Sequence, residues 1–215
     1  MFGGGGLALR DYERWHERYD DPGSDLSWRL GVVKAHIRAA LDRLAGPARA
    51  LSLCAGDGRD LLGVLAERPD AVRVQAVLVE VHPAIAERAR RAAAGMAASV
   101  EVRCADAGDT TAYADAVPAE LVLLVGIMGN ITDADLARTI AAAPALCAPG
   151  ATLVWTRGRS GGDRNGAVRA RLAAAGFAEL AYDVLDEDTL PAVGAARYDG
   201  PPASLPAGRL FTFRR

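Results

Sequence analysis

The chain has 215 residues, a formal net charge of -2 and a pI near 5.9, with 51% hydrophobic and 24% charged residues. That length suits one large domain, or one with an appended lid, and the hydrophobic share is ample for a core. The charge excludes the basic footprint of a nucleic-acid binder, and no apolar run reaches the roughly 18 residues of a membrane span.

The opening Met1-Phe-Gly-Gly-Gly-Gly6 lacks the charged and apolar regions of a signal peptide, so a cytoplasmic location is expected. Residues 8–22 read as a helix carrying Tyr12, Trp15, His16 and Tyr19, stopped by Asp21-Pro22-Gly23. A second helix, over 27–44, presents Leu30, Val33, Ile37 and Leu41 at helical spacing and ends at Gly46-Pro47. Residues 1–46 are therefore expected to form a tail and helical lid, and 47–215 the main domain. From there strands (50–54, 72–79, 100–104, 120–125, 151–156) alternate with helices (60–67, 83–94, 133–145, 163–175) and one irregular helical stretch near 110–116. Residues 147–150 read as a turn. The alternation ends with strands at 178–185 and 209–213, with no helix between them. The intervening 186–207 is rich in Pro and Gly and reads as a loop. Repeated βα units predict an α/β fold, a mostly parallel sheet with helices on both faces and an antiparallel pair at one edge.

Three positions carry the chemistry. In Leu51-Ser-Leu-Cys-Ala-Gly-Asp-Gly-Arg-Asp60 a buried strand runs into Gly56-x-Gly58 and then a helix, where glycine lets the backbone turn sharply and approach a ligand. Glu80, at the tip of the second strand, lies 22 positions after Gly58. A carboxylate so placed is suited to the two ribose hydroxyls of an adenosine. Asp106, just past the third strand, is placed to accept from an adenine amino group. A dinucleotide fingerprint would put a small residue where Leu61 stands. Asp57 and Asp60 would repel a pyrophosphate and suit a ligand bearing an ammonium and a sulfonium.

On these residues the stretch from 50 to 215 resembles the class I S-adenosylmethionine-dependent methyltransferases. The resemblance implies a seven-stranded, mostly parallel Rossmann-like sheet with the last strand antiparallel. It places the methionine part of the cofactor S-adenosylmethionine at Ala55-Gly56-Asp57-Gly58, its ribose at Glu80 and its adenine at Asp106-Ala107, with Gly126 following the fourth strand. Two positions depart from the family pattern. Ser52 stands where an acidic residue is common and Cys54 where a glycine is, and Arg29, Asp57 or backbone carbonyls are the substitutes for seating the amino-acid end.

The acceptor is expected to be a small molecule, with natural-product scaffolds suggested by the compact bacterial members of the family. Tyr12 and Tyr19 share a helical face with Trp15 and would fold over the cofactor as a lid, with His16 and Tyr19 the candidate catalytic groups. The ends of strands four and five, in Gly126-Ile-Met-Gly-Asn130 and Trp155-Thr-Arg157, point to the sheet edge where ligands bind in open α/β folds. Met128, Asn130, Trp155 and Arg157 are thus the acceptor-pocket candidates, and Tyr198 and Arg197 in the 186–207 loop would close over them. A non-catalytic S-adenosylmethionine sensor and an NAD-dependent reductase are the rival readings. Neither nucleic acid nor membrane is an expected partner, and the protein is expected to be a monomer or homodimer. Cys54, Cys104 and Cys147 show no metal-ligand spacing and read as small buried hydrophobes.

Overall fold

The computed structural model describes residues 21, 23–158, 164–185 and 191–214. Tyr12, Trp15, His16 and Tyr19 lie outside the described residues. Seven strands form one sheet: β1 (Ala48–Leu53), β2 (Val74–Glu80), β3 (Ser99–Cys104), β4 (Ala119–Leu124), β5 (Cys147–Gly158), β6 (Phe177–Val184) and β7 (Pro191–Tyr198). Their order is β3-β2-β1-β4-β5-β7-β6. β1 to β5 run parallel, and β7 runs antiparallel to both β5 and β6.

The alternation of side chains along the strands builds two cores. In β4, Leu121 and Leu123 face one layer while Val122 and Leu124 face the other, and all four are fully buried. An apolar run of this kind suits a strand covered on both faces. One layer holds α1 (Asp25–Asp42), α2 (Leu61–Ala66) and α3 (Pro83–Ala93), the other α4 (Asp133–Leu146) and α5 (Asn165–Ala174). α1 starts on Ser24, whose hydroxyl accepts from the Ser27 N–H at 3.0 Å, and buries Val33, Ile37 and Leu41 against the sheet. The helix grouped with the N-terminal lid by its position in the chain therefore shares the core of the sheet.

Two stretches differ from expectation. Within the presumed 186–207 loop, Pro191–Tyr198 form β7, inserted between β5 and β6. The 209–213 stretch makes only two isolated bridges, Asp109 to Arg209 and Ile131 to Phe213. In addition, 147–150 opens β5 instead of forming a separate turn.

The chain places β4 beside β1 after laying β2 and β3 on β1's other side. Connections leave in opposite directions at that point, and a crevice opens outside the carboxyl ends of the two strands.

Candidate functional site

The crevice begins where β1 ends. Cys54, Gly56 and Gly58 take φ values of +54°, +59° and +74°, so three of five consecutive residues are left-handed. The chain thereby reverses into α2 within a few residues. A left-handed cysteine is strained by about 1–2 kcal/mol. Gly58 is buried behind the turn, where an added Cβ would come within 2.7 Å of both Leu62 and Leu78. It is a packing glycine and does not line the crevice, whereas Ala55, Gly56 and Asp57 do.

Glu80 closes the floor and is only 8% exposed. Its Oε2 accepts from the Gly56 N–H at 3.0 Å and its Oε1 from the His82 N–H at 2.8 Å. Its backbone carbonyl accepts from the Ala105 N–H at 3.2 Å, tying β2 to the end of β3. A carboxylate has about four lone-pair sites, so two remain for hydroxyl donors after these bonds fix its orientation.

Asp106 follows β3 and is half exposed. Its Oδ1 accepts from the Gly108 N–H at 2.8 Å and its Oδ2 from Arg209 Nη1 at 2.7 Å. Ala107 beside it is buried against the crevice. Beyond β4, Gly126 is left-handed at φ +76°, donates to Thr156 Oγ1 at 2.8 Å, and accepts from Asn130 Nδ2 at 2.7 Å. Arg29, Leu30 and Val33 of α1 supply a wall, and Phe213 of the C-terminal segment lines the cleft as well. The cleft encloses about 390 Å³, within the roughly 300–1,000 Å³ of small-molecule sites.

Charge is unevenly spread. Asp57 is held by Arg59, whose Nε and Nη2 donate to it at 3.0 and 2.7 Å. Asp60, buried beneath, accepts from the Leu61 N–H at 2.7 Å. Burial raises the Asp60 carboxyl above its usual range, partly offset by that N–H and by Arg29. Burial, reinforced by Glu80 and Asp106, pushes the Cys54 thiol far up, so it stays neutral. Cys147 is buried and raised likewise, but Cys104 at the end of β3 is exposed, its thiol 3.6 Å from the Val81 carbonyl. Among the described residues, no group of three or more His, Cys, Asp or Glu side chains is arranged to hold a metal ion.

No known protein family and no curated protein matches the chain by sequence. Solved structures match it in three dimensions. Magnesium protoporphyrin IX methyltransferase from Synechocystis, solved with S-adenosylmethionine, superposes with a TM-score of 0.65 at 13% identity, over 89% of this chain and 96% of that one. The chain has the class I methyltransferase fold. Within that fold, the 1,6-didemethyltoxoflavin-N1-methyltransferase of Burkholderia thailandensis, solved with S-adenosylhomocysteine, gives a TM-score of 0.58 at 16% identity, covering 93% and 92% of the two chains. A [4+2]-cyclase superposes as well, with a TM-score of 0.56 at 18% identity over 79% and 81% of the two chains.

The methyltransferase fold sorts the acceptor candidates. Asn130 and Arg157 reach a second cavity beside the first. Met128 and Trp155 do not: they are 1% and 2% exposed and sit in the core. β5 runs on to Gly158, so Trp155 is mid-strand and packs over Gly194 of β7. Tyr198 is corrected as well. It is buried on β7, tilted against Phe177, and donates to the Pro201 carbonyl at 2.5 Å. Its neighbour Arg197 pairs with Asp199 at 2.6 Å. Neither lines the cleft, because the segment is β7, paired between β5 and β6 and away from the β1–β4 crevice.

Sequence reasoning missed Val81 and Phe213, exposed apolar side chains on the cleft. An exposed Val directly after the acidic strand tip was a readable signal. Phe213 gave none, since its place depends on a chain segment arriving from far along the sequence.

Proposed function

We propose that the protein transfers a methyl group from S-adenosylmethionine to a small-molecule acceptor. The observation that carries this reading is the buried Glu80 carboxylate. It is oriented by two backbone N–H groups at the floor of a cleft at the sheet's switch point, with acceptor capacity to spare. A vicinal diol would use that capacity.

The residues present fit the donor. Ala55, Gly56 and Asp57 would border its methionine part, Glu80 its ribose, and Val81, Asp106 and Ala107 its adenine. Asp57, Asp60, Glu80 and Asp106 line the cleft against two arginines, Arg29 and Arg59, and this excess of carboxylates favours a ligand with positive charge. It disfavours a pyrophosphate, as does the α2 N-terminus, where Asp60 already accepts from Leu61. That weighs against the NAD reading.

When bound, S-adenosylmethionine supplies a methyl group already activated on a sulfonium, so positioning delivers much of the barrier reduction. The chain's own part is to orient and to exclude water. Asn130 fixes the Gly126 turn between the two cavities, and Arg157 stands on the acceptor side. The proposed base, His16 or Tyr19, lies outside the described residues.

Calorimetric titration with S-adenosylhomocysteine tests the reading. Saturable binding that weakens at least about tenfold in Glu80→Gln is expected, the loss of about 1.4 kcal/mol or more in a charge-assisted contact. Equal affinity in the variant overturns the ribose assignment. Methyl turnover then separates an enzyme from a non-catalytic sensor.

A further inference from the structure

Besides Glu80, two polar side chains are buried in the lining of the donor cleft. Ser52, on β1, is 2% exposed, and Asp60, just before α2, is 8% exposed. Among the described residues, the Ser52 hydroxyl has no hydrogen-bond partner, and the Asp60 carboxylate has only backbone donors. Those donors are the Leu61 N–H, at 2.7 Å, and its own N–H. A carboxylate has about four lone-pair sites, so acceptor capacity remains where little water can use it.

The other carboxylates of the cleft are engaged. Arg59 donates to Asp57 through Nε and Nη2, and Arg209 pairs with Asp106 at 2.7 Å. Glu80 receives two backbone N–H groups and faces the ribose in the donor reading. Asp60 has no ion pair among the described residues. Burial is the largest influence on its carboxyl and disfavours the charge, with Asp57 acting in the same sense and Arg29 against it. A carboxylate in such a place gains most from a cation that brings its own hydrogen-bond donors. A primary ammonium carries three donors and no acceptor, so a carboxylate and a hydroxyl that both have acceptor capacity suit it together.

We propose that Asp60, assisted by Ser52, receives the α-ammonium group of the donor, and that it selects a nucleoside with an amino-acid tail over one without. The proposal rests on the methyltransferase reading for the identity of that nucleoside. Asp57 borders the same part of the ligand but is the partner of Arg59. Asp60 touches the tail and not the reacting atoms, so it is a specificity-determining residue and not a catalytic one.

The test is calorimetry on the full chain with two ligands that differ by one group. One is S-adenosylhomocysteine. The other is its des-amino analogue, which keeps the adenosine, the thioether and the carboxylate. The parent should bind S-adenosylhomocysteine at least about tenfold more tightly than the analogue. Asp60→Asn keeps an oxygen for the Leu61 N–H. It should weaken S-adenosylhomocysteine at least about tenfold and leave the analogue within about twofold. Ser52→Ala should weaken S-adenosylhomocysteine about threefold and also spare the analogue. Urea unfolding checks that both variants are folded. Equal affinity of the parent for the two ligands overturns the proposal and needs no variant. Equal loss of both ligands in Asp60→Asn makes Asp60 a support of the turn and overturns it too. Binding of both ligands that Glu80→Gln weakens and Asp60→Asn does not upholds the donor and overturns the ammonium site alone. Failure of the parent to bind either ligand overturns the donor reading and the role of Asp60 with it.

Discussion

Glu80 performs two tasks that a substitution separates. Its oxygens receive the Gly56 and His82 N–H groups, so the side chain holds the turn as well as facing the cleft. Glu80→Ala should lose cofactor affinity and also destabilise the fold by about 1–3 kcal/mol, the cost of unpaired buried donors. Glu80→Gln keeps one acceptor oxygen and should lose less stability than Ala. Urea unfolding of both variants checks the order. Asp60 shows the opposite balance. Burial raises its carboxyl in the folded state, so the folded protein holds that proton more tightly than the unfolded chain. The resulting stability is full below the unfolded value, near 3.9, and is lost as pH rises through the raised folded value. Asp60→Asn retains an oxygen for the Leu61 N–H and never ionises. It should therefore be more stable than the parent at pH 8, with the gap closing toward pH 4, as followed by urea unfolding across that range. A gap that widens on acidification would contradict the burial argument.

At the scale of elements, β7 is the instructive one. Its sequence, Pro-Ala-Val-Gly-Ala-Ala-Arg-Tyr, has one β-branched residue and both of the usual strand breakers. Local propensity reads it as loop, yet pairing on both sides by β5 and β6 makes it a buried strand. Pro191 sits at its first position, where no ladder bond is broken. Gly194 lies opposite Trp155 in the register, and a Cβ there would come within 2.2 Å of the indole ring. Gly194→Ala should cost about 1–3 kcal/mol through overpacking and leave S-adenosylhomocysteine affinity intact below the melting temperature. Denaturant midpoints and calorimetry together check this. β1 to β5 were legible because their information is local: apolar runs of strand length punctuated by glycine and proline. Glu80 was legible for the same reason, being fixed by its distance from Gly58. Trp155 and Tyr198 misled because an aromatic side chain near a presumed strand end looks the same whether it faces a ligand or a core. Arg29 and Arg157 were legible as site residues from their positions, whereas Arg164 and Arg214 reach the second cavity through tertiary structure.

At the scale of the molecule, the C-terminal segment acts as a strap across the sheet's carboxyl edge. Leu210 donates its N–H to the Gly108 carbonyl at 2.7 Å, and Arg214 donates its N–H to the Asn130 carbonyl at 2.8 Å. The Gly208 N–H donates to Thr110 Oγ1 at 2.9 Å. Phe211 anchors the strap, 1% exposed among the core residues. Phe211→Ala should cost about 3–5 kcal/mol and loosen the corner occupied by Asp106. Arg209→Ala removes a half-exposed ion pair screened by solvent, so its effect should fall on ligand affinity with little on melting. Adding S-adenosylhomocysteine at 100 times its Kd should stabilise the parent by about 2.7 kcal/mol through mass action, a shift visible in a thermal scan and diminished in Glu80→Gln.

The unequal environments of the three thiols make a reporter of binding available without radiolabel or known substrate. Thiolate is the form that reacts with a maleimide. Cys54 and Cys147 are held neutral by burial, whereas Cys104 is exposed two residues before Asp106. An environment-sensitive dye should couple to Cys104 alone, at the rim of the adenine corner. Its emission would then follow occupancy of the cleft in a screen of nucleoside ligands.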